Sequence, residues 1–409
     1  MKVRTILLLG VMVPGVPSSA QYDGDNTRYR TISWEEFPAD LAKSTKALIL
    51  DVRSPGEYSD TSHWASRNIG RLKGALNIDH REVDRRLNEL PERDRPIYLY
   101  CSHSQRSRRV SNMLVDSGYT NVININGGMS RYWNERDRLP GMDGLIERSA
   151  GYDIINAQGL CEMRSSHPVF LLDVRADSLV LPDGKRPEWV SAYGAIKEST
   201  HIPVERLKES AARIPRDWSV VVVGAYTADA AIAASELIAL GFKDVSVLFK
   251  GLEGMIDVSD ERCSCRKEIW SSEAPYSAIG LDQLDTLALL SGRQVMLDIR
   301  SQEEFDGTAK DTWKNVGRFR LAKHIPAGNV RERISEMGIS KSTPVVLIGR
   351  TLDEELFDMA RTLTDLGYAQ VSLLTCGSWG VRWEAHNLPG HAAWDAWMTK
   401  YPNTTPTNP

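Results

Sequence analysis

Three apolar runs in this chain end in the same acid-x-base triplet at nearly equal intervals. Leu48-Ile49-Leu50 leads into Asp51-Val52-Arg53, Phe170-Leu171-Leu172 into Asp173-Val174-Arg175, and Val295-Met296-Leu297 into Asp298-Ile299-Arg300. The three aspartates are 122 and 125 residues apart. A second apolar run follows each at a matching distance: Ile97-Tyr98-Leu99-Tyr100, Val220-Val221-Val222-Val223 and Val345-Val346-Leu347-Ile348. The residues just after these runs are Cys101, Gly224 and Gly349, lying 50, 51 and 51 positions beyond their aspartates. Self-similarity at a fixed long period marks tandem copies of one structural unit.

Each run is short, apolar on both faces and partly β-branched, as a parallel strand buried between two layers requires. The second run of each repeat is followed by a helical stretch (106–118, 228–241, 353–367) that stops at Gly, and then by another short strand (122–125, 245–249, 371–374). The order strand, turn, helix, strand implies crossover connections and helices covering both faces of a mainly parallel sheet. The expected fold class is α/β, with three tandem domains. The expected division is a leader at 1–20, domains at 21–144, 145–262 and 263–400, and a polar tail at 401–409. Patterning lapses at 138–144 and 257–275, which read as linkers.

The length of 409 residues suits several domains of about 100 to 150 residues. A hydrophobic fraction of 42% with 25% charged residues is that of a globular protein. The net charge of -4 offers no global field for nucleic acid or anionic lipid, so any anion binding must be local. Lys2 and Arg4, a mostly apolar stretch from Ile6 to Pro17 and the small residues Ser18-Ser19-Ala20 read as a cleaved secretory leader. The expected location is therefore exported, periplasmic or extracellular, with no membrane span after cleavage. In an oxidising compartment the five cysteines, Cys101, Cys161, Cys263, Cys265 and Cys376, gain meaning as candidates for pairing. None shows the spacing of a two-armed zinc site, and no metal or other cofactor is expected.

The first repeat carries its chemistry at the strand-to-helix turn, Cys101-Ser102-His103-Ser104-Gln105-Arg106-Ser107. A thiol at the carboxyl end of a parallel strand, just before a helix, lies where backbone N–H groups converge and the helix dipole is positive. Such a place favours a thiolate and binds anions. The hydroxyls of Ser102, Ser104 and Ser107 supply further donors, and Arg106 a forked cation suited to an oxyanion.

Cys101-x-x-x-x-Arg106-Ser107 after a strand, with Asp51-Val52-Arg53-x-x-x-Glu57-Tyr58 fifty residues earlier, resembles the rhodanese homology domain. Gly74-Ala75-Leu76-Asn77-Ile78 and Gly127-Gly128 with Trp133 are similar to two further segments of that family. The resemblance covers nearly the whole chain after the leader as three domains, only the first of which keeps the catalytic loop. It implies that Cys101 takes sulfane sulfur from thiosulfate or a similar donor as a persulfide and passes it to cyanide or a thiol. By the same resemblance the amides of residues 102–106 stabilise the persulfide, Arg106 orients the donor's anionic end, and Ser102, His103, Ser104, Gln105, Arg106 and Ser107 form the substrate cradle. Many members of the family carry Gly where this chain has Ser104, a position suited to positive φ. The family's usual His-Ile-Pro is Arg71-Leu72-Lys73 here.

The equivalent turns of the other repeats read Gly224-Ala225-Tyr226-Thr227-Ala228-Asp229 and Gly349-Arg350-Thr351-Leu352-Asp353-Glu354. Glycine replaces the thiol, and an acid takes the place of Arg106, so both are expected to be silent and to serve structure or a protein partner. Cys161 reads as core and Cys376 as a small packing residue. Cys263 and Cys265 permit a mutual disulfide, disulfides to other cysteines, or a dithiol that accepts sulfur from Cys101, with structural oxidation favoured. His103 is either a proton carrier or part of the loop mouth. Arg108 and Arg109 read as a solvated helix face, and Trp34, Trp64, Trp133, Trp383, Trp394 and Trp397 as core or interdomain packing. Two other classes remain open: a sulfur-carrier or protein-binding assembly with little turnover, and a phosphatase or arsenate reductase of related fold. The related phosphatases have a loop one residue longer between Cys and Arg, and the short loop here favours sulfur.

Overall fold

The structure, a computed structural model, describes residues 24–44, 46–139, 141–176, 192–311, 314–388 and 390–399. The expected leader and the polar tail lie outside the described residues.

Three five-stranded sheets, every pairing parallel, are built from successive stretches of chain. From edge to edge the first runs Arg30–Ile32, Val122–Ile125, Ile97–Tyr100, Leu48–Asp51, Leu76–Asn77. The second runs Asp153–Ile155, Val245–Leu248, Ser219–Val223, Val169–Asp173, Thr200–His201. In the third the order is Ser277–Ile279, Val371–Leu374, Val345–Ile348, Val295–Asp298, Lys323–His324. In each the strands stand first, fifth, fourth, second, third in chain order, so the α/β class and the threefold repeat are present as expected. Ile97–Tyr100, Ser219–Val223 and Val345–Ile348 are buried along their whole length. Their apolar character on both faces is what a central strand covered by helices demands.

The repeated Asp-x-Arg triplet closes on itself. Arg53 Nε and Nη2 donate to the Asp51 carboxylate at 3.0 and 2.7 Å, and both side chains are wholly buried. The Arg53 amide also donates to Asp51 Oδ1, and Nη2 reaches the Gly70 carbonyl at 2.6 Å. The third repeat does the same between Arg300, Asp298 and Gly317. In the second, Arg175 pairs with Asp173 at 2.6 Å but stays partly exposed. The motif therefore fixes the chain as it leaves the strand, satisfying a buried charge locally.

Helices Gln105–Asp116, Thr227–Ala239 and Glu354–Asp365 follow the central strands. In the first, Ser107, Val110, Ser111 and Leu114 face inward at helical spacing. All three are followed by a glycine at positive φ, Gly118, Gly241 and Gly367, which lets the chain turn without a Cβ penalty.

Each unit also has a two-residue ribbon. Arg71–Leu72 pairs antiparallel with Ile146–Glu147, Ala195–Ile196 with Trp270–Ser271, and Arg318–Phe319 with Met398–Thr399. The units share apolar cores: Tyr98, Met129 and Trp133 pack in one cluster with Ala230 and Leu237, and Leu160 and Met255 in another with Leu347 and Phe357. Trp34 and Trp133 are core residues as expected, whereas Trp64 is 61% exposed under the Arg67 guanidinium and packs no core. No helix among the described residues is long and apolar enough to cross a membrane.

Candidate active site

Cys101 follows the central strand of the first sheet and is 1% exposed, a free thiol at the floor of its loop. Two backbone bonds seat the loop on the next helix, Gly128–Glu135: Met129 N donates to Cys101 O at 3.0 Å and Ser130 N to Ser102 O at 2.9 Å. Gly128, at φ +60°, makes the approach possible, since a Cβ there would overlap the Cys101 carbonyl and the Ser102 backbone. The same seating recurs at Gly251 against Gly224 and at Gly377 against Arg350.

Ser104 closes the loop at φ +69°, a left-handed conformation in a non-glycine residue. Its hydroxyl donates to Ile125 O at 3.2 Å in a fully buried position, a local anchor for the strained geometry. The first bond of the helix runs from Arg108 N to Ser104 O. The N–H groups of residues 105–107 therefore precede any intrahelical acceptor and belong to the positive end of the dipole.

The predicted cradle divides into groups that face the loop mouth and groups that do not. Arg106 forks onto Glu57, Nη1 to Oε2 at 2.6 Å and Nη2 to Oε1 at 2.8 Å, and Nη2 also reaches Ser102 Oγ at 2.9 Å. Burial alone would raise the Glu57 carboxyl, but the hydrogen bonds and charge of Arg106, with the Ser54 amide, outweigh it and lower the carboxyl to about 2. Arg106 is thus a braced and largely neutralised wall of the site rather than a bare cation. Glu57 is the group that sequence reasoning missed as a site residue, although it stood in the motif quoted for the family.

Ser107, expected among the substrate-binding donors, is corrected by the structure. It is fully buried, with its hydroxyl directed to Ser104 O and Asn124 Oδ1 at 3.1 and 2.6 Å. Ser104, also expected among those donors, likewise turns its hydroxyl into the protein, toward Ile125 O. Gln105 is half-buried at the start of the helix. His103 is exposed by surface area yet crowded by two units: Nε2 lies 2.9 Å from Ser130 Oγ, and its carbonyl accepts from Trp383 Nε1 at 3.1 Å. That crowding, with the charges of Arg106 and Lys250, lowers its pKa and disfavours the imidazolium.

Arg108 is another correction. Instead of a solvated face it is 1% exposed, bound to Asp25 at 2.9 Å, Asn126 Oδ1 at 2.6 Å and Asn387 Oδ1 at 3.1 Å. Asn126 Nδ2 donates to His386 O at 2.8 Å. Trp383, His386 and Asn387 all sit on the helix Gly377–Asn387 of the third repeat, which therefore lies against the Cys101 turn of the first. Arg109 is exposed as expected.

The equivalent turns of the other two repeats differ from each other. In the second, Tyr226 OH accepts from Tyr193 OH at 2.7 Å. In the third, Arg350 reaches Glu304 at 2.5 Å, and Glu304 occupies the place of Glu57 in its repeat. An arginine–glutamate brace thus survives there without the thiol, although Glu354 stands at the sequence position of Arg106. Cys161 is a core residue as expected, 6% exposed, and is also joined to Cys265 in a disulfide, one of the pairings left open for Cys265, while Cys263 stays free. Among the described residues, the only group of three or more potential metal ligands in reach of one another is Cys161, Cys263 and Cys265, two of which that disulfide uses.

The rhodanese-like domain family matches residues 33–135. The chain is 35% identical over 103 residues to the uncharacterized protein YqhL of Bacillus subtilis, a match covering 25% of this chain and 71% of that protein. It is 29% identical over 98 residues to a sulfurtransferase of Allochromatium vinosum, covering 24% of this chain and 82% of that one. To the thiosulfate sulfurtransferase GlpE of Pseudomonas entomophila it is 27% identical over 115 residues, covering 28% of this chain and 92% of that one.

Proposed function

The chain belongs to the family of rhodanese-like domain proteins, and on that premise we propose that it moves sulfane sulfur from thiosulfate or a similar anionic donor to a thiophilic acceptor through a persulfide on Cys101. The Cys101 thiolate attacks the outer sulfur of the donor, the S–S bond of thiosulfate breaks, and sulfite leaves with the electron pair. A thiol or cyanide then attacks the terminal sulfur of the persulfide and restores the thiolate. The negative charge sits on the Cys101 sulfur in the thiolate and on the sulfur beyond it in the persulfide, and the N–H groups of residues 102–106 act as fixed dipoles for it in both.

The observation that carries this reading is the seating of one thiol, alone among three equivalent turns, in a loop held by Gly128–Ser130 on one side and by the Arg106–Glu57 brace on the other. Arg106 orients an anionic donor through whichever of its protons Glu57 and Ser102 leave to it, with Ser102 at the mouth. The test is intact-mass measurement after incubation with thiosulfate. Gain of one sulfur on Cys101, released as thiocyanate by cyanide, is expected; no gain would overturn the proposal.

A second reading, a sulfur carrier or protein-binding assembly with little turnover, is favoured by two observations: Cys101 is only 1% exposed beneath its loop, and a helix of the third repeat lies against that loop. A Cys101→Ser variant that still complements a deletion strain would favour the protein-binding assembly. The exported location read from the first twenty residues belongs to the same proposal, and fractionation of cells expressing the full chain tests it.

A further inference from the structure

The three cysteines at the junction of the second and third units form a compact sulfur cluster. Cys161, on the helix Ala157–Ser166, is bonded to Cys265, and Cys263 keeps a thiol that is 1% exposed. Its Sγ lies 3.4 Å from Cys161 Sγ, in van der Waals contact with the disulfide. The turn that carries both partners is pinned to the same helix. Ser264 N and Oγ donate to Gln158 Oε1 at 3.0 and 3.2 Å, Cys265 N lies 3.2 Å from Cys161 Sγ, and Cys263 Sγ lies 3.5 Å from Ala157 O. With one residue between them, Cys263 and Cys265 both face Cys161, and all three sulfurs lie within 4.8 Å of one another.

A thiol against a disulfide sulfur is the reactant pair of thiol–disulfide exchange. We propose that Cys161 is the shared sulfur of an exchangeable disulfide, bonded alternately to Cys265 and to Cys263. The Cys263 thiolate attacks Cys161 Sγ, the Cys161–Cys265 bond breaks, and the electron pair leaves on the Cys265 sulfur, which takes up the proton that Cys263 gave up. One disulfide and one thiol exist before and after, so no oxidant or reductant is consumed. What moves is the thiol, from buried Cys263 to half-exposed Cys265. Exchange therefore presents a modifiable thiol to small disulfides and other thiol-directed electrophiles at the segment joining the two units. Burial pushes the Cys263 thiol up, which keeps the thiolate scarce and the exchange slow, on the minutes-to-hours scale of uncatalysed disulfide rearrangement.

The test uses the native full chain, without reductant, held overnight with N-ethylmaleimide and digested with trypsin unreduced. Cleavage after Arg262 and Arg266 isolates residues 263–266, and fragmentation of that peptide locates the label and the cross-link. The expected result is alkylated Cys265 with Cys161 bound to Cys263, and loss of that label in Cys263→Ala. A label confined to Cys263, or none on this peptide, would overturn the proposal. Cys265→Ala gives a second reading: air-purified protein carries a Cys161–Cys263 bond if the geometry permits exchange, and two free thiols if it does not. Should that variant fail to fold, the labelling of the unaltered chain still decides.

Discussion

The indole Nε1 of Trp383 donates a hydrogen bond to the main-chain carbonyl of His103 at 3.1 Å, across 280 positions of sequence. A helix of a repeat that has lost its thiol thus holds the loop of the repeat that has kept one. Asn387 on Arg108 and the His386 carbonyl on Asn126 extend the same contact. The third unit is therefore part of how the Cys101 turn keeps its shape.

Trp383→Phe keeps the ring and removes the bond. A hydrogen bond of this kind contributes about 0.5 to 1.5 kcal/mol. Sulfur transfer is expected to fall about 3- to 10-fold, with the thermal midpoint nearly unchanged. A comparison of kcat/KM with Tm checks this, and unchanged kcat/KM would show that the contact only joins the units.

The Arg106–Glu57 brace predicts an acid-sensitive site. Glu57 is held at about 2, against about 4.3 in an unfolded chain, so between those values the folded state binds fewer protons than the unfolded one. Its contribution, on the order of 3 kcal/mol, is full above the unfolded value and is lost as pH falls toward about 2. Denaturant unfolding at pH 7, 4.5, 3 and 2 should show this slope, and Glu57→Gln should remove that part of it.

The buried triplets give a graded prediction. Asp51→Asn leaves the Arg53 guanidinium without its counter-charge at zero exposure, and breaking such a pair costs about 3 to 5 kcal/mol. Asp173→Asn should cost less, because the Arg175 side chain is 14% exposed and can turn toward water. Midpoints of urea unfolding for the two variants check the order.

Much of this architecture was legible because the threefold Asp-x-Arg period reports buried strands and self-paired charges, both local in sequence. Cys101 was legible for the same reason, since the turn after a central strand is one continuous segment. What lay hidden was long-range. Nothing near Arg108 announces that its guanidinium will bind Asp25 and Asn387 rather than water. Nor does anything near Cys161 announce Cys265, because that pairing depends on a turn folding back over a helix 104 residues away. The two-residue ribbons are too short to pattern, and two of them, Ile146–Glu147 on Arg71–Leu72 and Trp270–Ser271 on Ala195–Ile196, use residues beyond the expected domain starts at 145 and 263. Ser107 misled because its hydroxyl lies on the inner face of its helix, where it meets Asn124 instead of a substrate.

The two glycines that replace the thiol are not equivalent. A Cβ on Gly224 would lie 2.7 Å from Tyr226 O, a clash with backbone that cannot move without reshaping the turn. A Cβ on Gly349 would meet Thr351 O at 3.2 Å and nothing else closer than 3.8 Å, a tight fit that a few tenths of an ångström relieve. Neither position has a left-handed φ, so a side chain carries no added backbone penalty at either. Gly224→Cys should therefore destabilise by about 1 to 3 kcal/mol, as overpacking does, while Gly349→Cys should stay close to the parent protein. Gly349→Cys also places a thiol beside the Arg350–Glu304 brace, on a loop seated by Ser378 and Trp379 as the first is by Met129 and Ser130. In a Cys101→Ser background it is expected to take up sulfur from thiosulfate where Gly224→Cys does not. Unfolding midpoints and intact masses of the two variants settle both halves of the contrast. If the Gly349→Cys chain folds yet stays unmodified, the seated loop and its brace are insufficient, and the N–H cradle of residues 102–106 supplies what the third repeat lacks.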